Sequence, residues 1–242
     1  MTSRSRFHRP RTAAPFLAAL AFVVAACTSA GSSPSTSGGV APTTGSLPSA
    51  AASTAPSAAP PTAAGRPDCP TEAPAPLPAG ETRTVTVETT QGTIVLKIDG
   101  SLAPNAAGNF VALAACGFYD GVVFHRLVPD FVIQGGDPSG DGTGGPGYTI
   151  QDQEVKGEYK RGTLAMARTS EPNSQGSQFF IVLTDEPAGS ILESYRTYAI
   201  FGEVAEGMEV VDAIAAMPNS GDNAGNAALE PVAMDEVTVT SP

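Results

Sequence analysis

The chain has 242 residues, with 24 acidic and 13 basic side chains, three Cys, two His and no Trp, enough for one sizeable domain plus extensions. Its net charge of -11 argues against nucleic acid as a partner, because an acidic body repels phosphate over its whole surface. Gly (26) and Pro (22) are unevenly placed, so the average composition hides two different polymers.

Residues 1–26 read as a signal peptide. Arg4, Arg6, Arg9 and Arg11 precede an apolar run at 13–26, which is shorter than the roughly 20 residues a membrane-spanning helix needs. The run closes on Val24-Ala25-Ala26-Cys27, which resembles the bacterial lipobox, where Cys27 is lipid-modified and becomes the new N-terminus. The alternative is a cysteine that merely lies near an ordinary cleavage site. A lipidated Cys27 holds the protein on the outer face of the cytoplasmic membrane without spanning it, so the expected location is extracytoplasmic and the expected membrane contact is through the lipid alone. Removal of 1–26 leaves nine basic against 24 acidic residues, a net charge of -15.

From 28 to 65 every residue except Val40 and Leu47 is Ala, Ser, Thr, Pro or Gly. Such a stretch has no side chains from which to build a core, so 27–80 reads as a disordered tether, spanning on the order of 40 Å by flexible-chain scaling. Cys69 and Cys116 are the two cysteines left after lipidation. In a compartment where disulfides persist they are read as a bridged pair, the alternative being two free thiols. Neither belongs to a Cys-x-x-Cys motif, which argues against a redox catalyst.

Residues 81–242 have the composition of a folded domain. Apolar and polar residues alternate at 84–88, and 93–98 follows across Gln91-Gly92, which predicts a β-hairpin. Pro104 opens a segment with Ala106, Phe110, Leu113 and Ala114 at helical spacing, ending near Gly117. Further strands are expected at 122–127, 131–134, 163–167, 178–183, 198–204 and 237–240, and a second helix at 208–216. The resulting fold class is mainly β: a closed antiparallel barrel with helices over its ends.

Few catalytic schemes fit this domain. Phosphate-binding G-x-x-x-x-G-K-[ST] and hydrolase G-x-S-x-G motifs do not occur. The run 140–145 matches G-x-G-x-x-G but is followed by Pro146-Gly147, which cannot open the helix a dinucleotide needs. Asp137, Ser139 and Asp141 have calcium-loop spacing, yet Tyr148 stands where a bidentate Glu is required. His125 is the only histidine after residue 26, which disfavours histidine-based metal sites and hydrolases; it reads as a packed core residue. No metal and no cofactor is expected. Arg126 sits among aromatics in Phe124-His125-Arg126-Leu127-Val128-Pro129-Asp130-Phe131-Val132-Ile133-Gln134-Gly135-Gly136-Asp137. Either its stem covers them or it is held to address a ligand, and residue physics alone leaves both readings open.

That stretch resembles the signature of the cyclophilin family of peptidyl-prolyl cis/trans isomerases. The resemblance continues in order through Gly162-Thr163-Leu164-Ala165-Met166-Ala167-Arg168, Asn173-Ser174-Gln175-Gly176-Ser177-Gln178-Phe179-Phe180-Ile181 and Ile200-Phe201-Gly202-Glu203-Val204, and covers 82–241. It implies a closed eight-stranded antiparallel barrel capped by two α-helices. It also implies that Arg126 is the catalytic arginine and that Gln134 holds the substrate backbone, with Gln178 in support. By the same resemblance Phe131, Val132, Phe180 and Leu192 build a proline pocket, and Ala167 and Arg168 form the edge that pairs with an extended peptide. Tyr198 stands where many members carry histidine, Arg168 where asparagine is usual, and one extra residue lies in 169–172. The tryptophan that many members use to grip cyclosporin is missing. The expectation is a monomeric isomerase acting on Pro-containing segments of exported or cell-envelope proteins, the alternative a non-catalytic proline-peptide-binding or chaperone module on the cell surface.

Overall fold

A computed structural model describes residues 68–240. The expected signal peptide, Cys27 and the tether as far as residue 67 lie outside the described residues. Eight strands form one antiparallel sheet: β1 (Thr82–Thr89), β2 (Gly92–Asp99), β3 (Val123–Val128), β4 (Val132–Asp137), β5 (Thr163–Met166), β6 (Phe179–Val182), β7 (Ile200–Glu206) and β8 (Met234–Thr240). Their order across the sheet is β3-β4-β6-β5-β7-β2-β1-β8. Each strand expected from the sequence is present with its ends shifted by a few residues. In β1, Val85 and Val87 point inward and are buried while Thr84 and Thr86 face the other way and stay partly exposed, the period-two pattern of a half-buried strand.

The sheet curls, but β3 and β8, its two edges, do not pair with each other as strands. The irregular stretch 226–234 covers the β3 edge instead: Leu127 and Phe124 donate to the carbonyls of Asn226 and Val232, and Ala228 and Met234 donate to those of His125 and Val122. The closed barrel of the sequence reading is therefore a curled half-barrel whose seam is sealed by a loop. An open row of amides at β3 would otherwise be unsatisfied.

Helix α1 (Pro104–Ala115) fits the predicted one. No side chain of its own caps the first turn; Gln153 Oε1 accepts from the amides of Asn105 and Ala106 instead, at 2.9 and 3.3 Å. Phe110 and Leu113 are fully buried, and Phe110 packs against Tyr119, Phe179 and Phe201 at ring-centre distances of 5.0–5.1 Å. A six-residue helix, α2 (Ser190–Tyr195), was not expected, whereas α3 (Met208–Ala215) was. The described fold thus has three α-helices rather than two. Alternation sends Ile133, Leu164, Met166, Phe179 and Ile181 into the main core, while Val132, Ala165, Phe180 and Val182 face the other way and join Leu192, Ile200 and Tyr159 in a second apolar cluster.

The boundary expected at residue 80 is not where packing begins. Cys69 is joined to Cys116 by a disulfide with Cα atoms 5.2 Å apart, and Leu77 is buried, its amide donating to Pro104 O at 2.9 Å. Crosslinking residues 47 apart in sequence removes about 4 kcal/mol of unfolded-chain entropy on the loop-closure account. The sheet and helix leave room for this strap by lacking side chains. A Cβ on Gly108 would collide with Ala75 O and lie 2.7 Å from Leu77 N, and one on Gly100 would collide with Pro78 O. Composition reads 69–80 as tether because Pro and Ala dominate; the Cys69–Cys116 pair expected above ties its end to the domain, and one leucine and two bare backbone positions dock the rest.

Gly108→Ala tests the docking. In a free helix surface the change stabilises by about 1 kcal/mol; here the backbone collision reverses the sign, and we expect a loss of about 1–3 kcal/mol in denaturant titration. A stabilised variant would show that the strap does not pack on α1.

Candidate active site

Strands β3 and β4 do not pair regularly. Phe124 opposes Gly135 and Arg126 opposes Gln134, so His125 is an extra residue on β3, a β-bulge. Bulges re-aim side chains and are common beside active sites. Here the bulge buries both Phe124 and His125 and leaves Arg126 half-buried on the face it shares with Gln134. The register then continues across the sheet: Gln134 opposes Phe180, and Phe180 opposes Ala165. Four strands thus contribute one residue each to a row that runs from a cation through an amide to an apolar patch.

That row lies under a cavity of about 260 Å³ lined by Arg126, Phe131, Val132, Gln134, Ala167, Arg168, Phe180, Leu192, Tyr195 and Tyr198. Val132, Phe180 and Leu192 form its buried apolar floor, at 2–4% exposure, and the Tyr198 ring meets Phe180 edge-on at 5.4 Å. A larger cavity of about 620 Å³ adjoins it and shares Gln134, Ala167 and Arg168; its wall is the glycine-rich stretch 142–147. The smaller space is of a size for a ring rather than a cofactor.

Polar contacts fix the cation. Arg126 Nε donates to Gly225 O and Nη1 to Gln134 Oε1, both at 3.3 Å. Gln134 Nε2 donates to Gln178 Oε1 at 2.9 Å, and Gln178 Nε2 donates in turn to the carbonyls of Gly142 and Gly144 at 3.0 and 2.9 Å. The chain of amides has a single sense, so each glutamine is locked in orientation by the next. Among the described residues, no carboxylate lies within ion-pair distance of Arg126. Burial lowers its pKa from the usual value while Tyr198 raises it; arginine remains charged regardless. Two of its five N–H donors are thus engaged, and no counter-ion among the described residues neutralises the charge.

Tyr198 is positioned by Tyr159, whose hydroxyl donates to Tyr198 O at 2.6 Å and accepts from Tyr198 N at 3.2 Å. Burial pushes the Tyr159 hydroxyl up to about 12, so it keeps the proton it donates. His125 is buried, and neither ring nitrogen makes a well-formed hydrogen bond. Burial lowers its pKa, with Asp137 opposing and Arg126 reinforcing the shift, which leaves the ring neutral at pH 7. The Asp137 carboxylate accepts from the amides of Ser139, Asp141 and Gly142 at 2.7, 3.1 and 2.5 Å, which holds the turn at 137–142. Among the described residues no group of three or more His, Cys, Asp or Glu could hold a metal.

Nine of the residues singled out from the sequence line the smaller cavity: Arg126, Gln134, Phe131, Val132, Ala167, Arg168, Phe180, Leu192 and Tyr198. Gln178 stands behind Gln134 and faces the larger cavity. The Arg168 guanidinium is committed elsewhere, to Asp152 at 3.2 Å and to the carbonyls of Thr169 and Glu171, where it ties down the loop carrying the extra residue. Sequence reasoning missed Tyr195, which lines the cavity, and Gly225, whose carbonyl holds Arg126. Both lie in stretches without periodicity; the spacing of Ile191, Leu192 and Tyr195 was the one available signal.

Residues 84–239 match the family model described as "Cyclophilin type peptidyl-prolyl cis-trans isomerase/CLD". The chain belongs to this family. Cyclophilin relatives include a peptidyl-prolyl cis-trans isomerase A of Mycobacterium tuberculosis, 38% identical over 193 residues, 72% of this chain and 99% of that one. Another is a peptidyl-prolyl cis-trans isomerase of Dictyostelium discoideum, 44% identical over 146 residues, 58% of this chain and 89% of its own. The crystal structure of a Cryptosporidium parvum cyclophilin is similar, with 30% identity, a TM-score of 0.58, and coverage of 66% of this chain and 99% of that chain. The same Cryptosporidium protein crystallised in the presence of the dipeptide Ala-Pro matches at 32% identity, a TM-score of 0.57 and the same coverage.

Proposed function

We propose that this cyclophilin domain catalyses cis/trans isomerisation of X–Pro bonds in exported and cell-envelope proteins, and that it does so from a lipid anchor at Cys27 on the outer face of the membrane. The observation that carries the catalytic part is an unneutralised guanidinium at the rim of an apolar cavity sized for one ring. Peptide-bond rotation is slow because amide resonance is lost on twisting, a barrier of about 18–20 kcal/mol, and X–Pro bonds interconvert in tens to hundreds of seconds. No covalent bond need form or break.

With the ring seated on Val132, Phe180 and Leu192, a donor from Arg126 meets the prolyl nitrogen. In the twisted state that nitrogen is pyramidal and its lone pair is no longer delocalised, so it accepts a hydrogen bond it cannot accept in the planar ground state. Binding is thereby stronger for the transition state than for either planar isomer, which is the requirement for rate enhancement. Gln134 and Gly225 supply the preorganisation, so no reorientation of the guanidinium is needed during rotation. The export part is supported by the basic and apolar N-terminal segment, by Val24-Ala25-Ala26-Cys27, and by the Cys69–Cys116 disulfide, a bond rare in reducing compartments.

Cis/trans relaxation of a short X–Pro peptide, measured with the protein and with Arg126→Ala, is expected to show at least about a tenfold loss of rate, or roughly 1.4 kcal/mol of barrier. Equal rates would reject Arg126 as the catalytic group. Binding of the peptide without acceleration by the unmodified protein would favour the peptide-binding module instead. For the anchor, Cys27→Ser is expected to move the protein from the membrane to the soluble fraction; an unchanged distribution would refute lipidation there.

A further inference from the structure

Large apolar side chains are covered almost everywhere in the described fold, and the exceptions are concentrated. Among the described residues the exposed ones are Ile191, Tyr195 and Leu229, at 43%, 66% and 62%. Two of the three stand on α2, four residues apart, and therefore lie together on one face of that helix. This is also the helix whose Leu192 forms part of the cavity floor and whose Tyr195 lines it.

The exposure is not that of a frayed segment. Just before α2, the Thr184 hydroxyl donates to Asp130 O at 2.8 Å and accepts from Ala188 N at 3.4 Å. At its far end Glu193 Oε1 accepts from Tyr159 N at 3.0 Å, and Arg196 pairs with Glu193 at 2.5 Å while donating to Val155 O at 2.8 Å. Six residues of helix are not stable alone in water, so these anchors hold α2 and its outward face in one orientation. The charges at its end are paired with each other, which leaves apolar contact as what the face offers.

We infer that Ile191 and Tyr195 form a specificity lip that takes the side chain of a residue flanking the substrate proline, so that segments with a bulky apolar residue at that flank are preferred. The inference rests on the reading of the cavity as the proline site. The larger cavity meets the smaller one across Gln134, Ala167 and Arg168, whereas α2 borders only the smaller. An extended peptide with its ring in the smaller cavity therefore leaves towards the larger one on one side and across α2 on the other. At about 3.3 Å per residue, the first or second residue beyond the ring passes Tyr195. An aromatic ring already held in place offers such a side chain contact area at little entropic cost.

The test uses the protein and short peptides in which each neighbour of proline is in turn Ala, Leu, Phe or Glu, with kcat/KM for isomerisation measured for each. At one flanking position Phe is expected to exceed Ala by about three- to tenfold. Tyr195→Ala should bring that ratio towards one, through KM rather than kcat. Tyr195→Phe should keep it, and Leu229→Ala, an exposed apolar residue that lines neither cavity, should also keep it. A protein that turns over the Ala peptides but shows no preference at either flank overturns the lip, as does a Tyr195→Ala variant that retains the preference. Absence of turnover of every peptide by the unmodified protein overturns the isomerase reading itself, and the lip with it.

Discussion

A guanidinium held beside apolar surface with no carboxylate partner among the described residues is the constraint on which the site depends. Such a charge is costly to bury, and proteins usually meet that cost with a counter-ion, as Arg168 does with Asp152. Arg126 instead receives one carbonyl and one side-chain amide, neutral acceptors that fix its direction without cancelling its field. The burial cost is kept down by leaving it half-exposed at the rim. A counter-ion would have stabilised the fold and neutralised the charge on which the proposed mechanism rests, so on that mechanism the arrangement favours activity over local stability.

Several structural features serve that one side chain. The bulge at His125 turns Arg126 to the face of Gln134, and the neutral, buried His125 occupies the space the bulge creates. The seam that covers the open edge of β3 also delivers Gly225 O to Arg126 Nε, so sealing the sheet and orienting the cation are one event. Through Gln134 and Gln178 the same bonding reaches the carbonyls of Gly142 and Gly144, which ties the wall of the larger cavity to the smaller. The sheet separates two sets: residues facing one way fill the main core, and among their neighbours facing the other way Val132 and Phe180 help make the floor of the smaller cavity.

Much of this was legible in the sequence, for identifiable reasons. Strand alternation such as Thr84-Val85-Thr86-Val87 is a local signal, and the other strands followed as short runs rich in apolar residues between turns, β5 and β6 being buried at every position. The set Arg126, Phe131, Gln134 and Phe180 was legible only through resemblance, since Arg126 among aromatics reads equally well as a snorkelling stem. The bulge was not legible, because an extra residue in β3 shows itself only against its partner strand. Helix α2 is too short to display a period, and it is held through anchors at Tyr159, Val155 and Asp130 that are distant in sequence. The strap 69–80 looked like linker because its docking rests on what Gly100 and Gly108 lack, and an absent Cβ leaves no mark in the composition of the segment that uses it.

The central claim is that Arg126 acts on the twisted imide rather than on the bound peptide as such. Exchange NMR of a labelled X–Pro peptide separates the two, since it reports affinity and the rate of on-protein isomerisation together. Arg126→Lys keeps the charge but not the fork that Gln134 and Gly225 orient. The account predicts a dissociation constant within about threefold of the unmodified protein and an on-protein rate lower by about tenfold or more. A variant in which affinity collapses while the bound-state rate is preserved would contradict it.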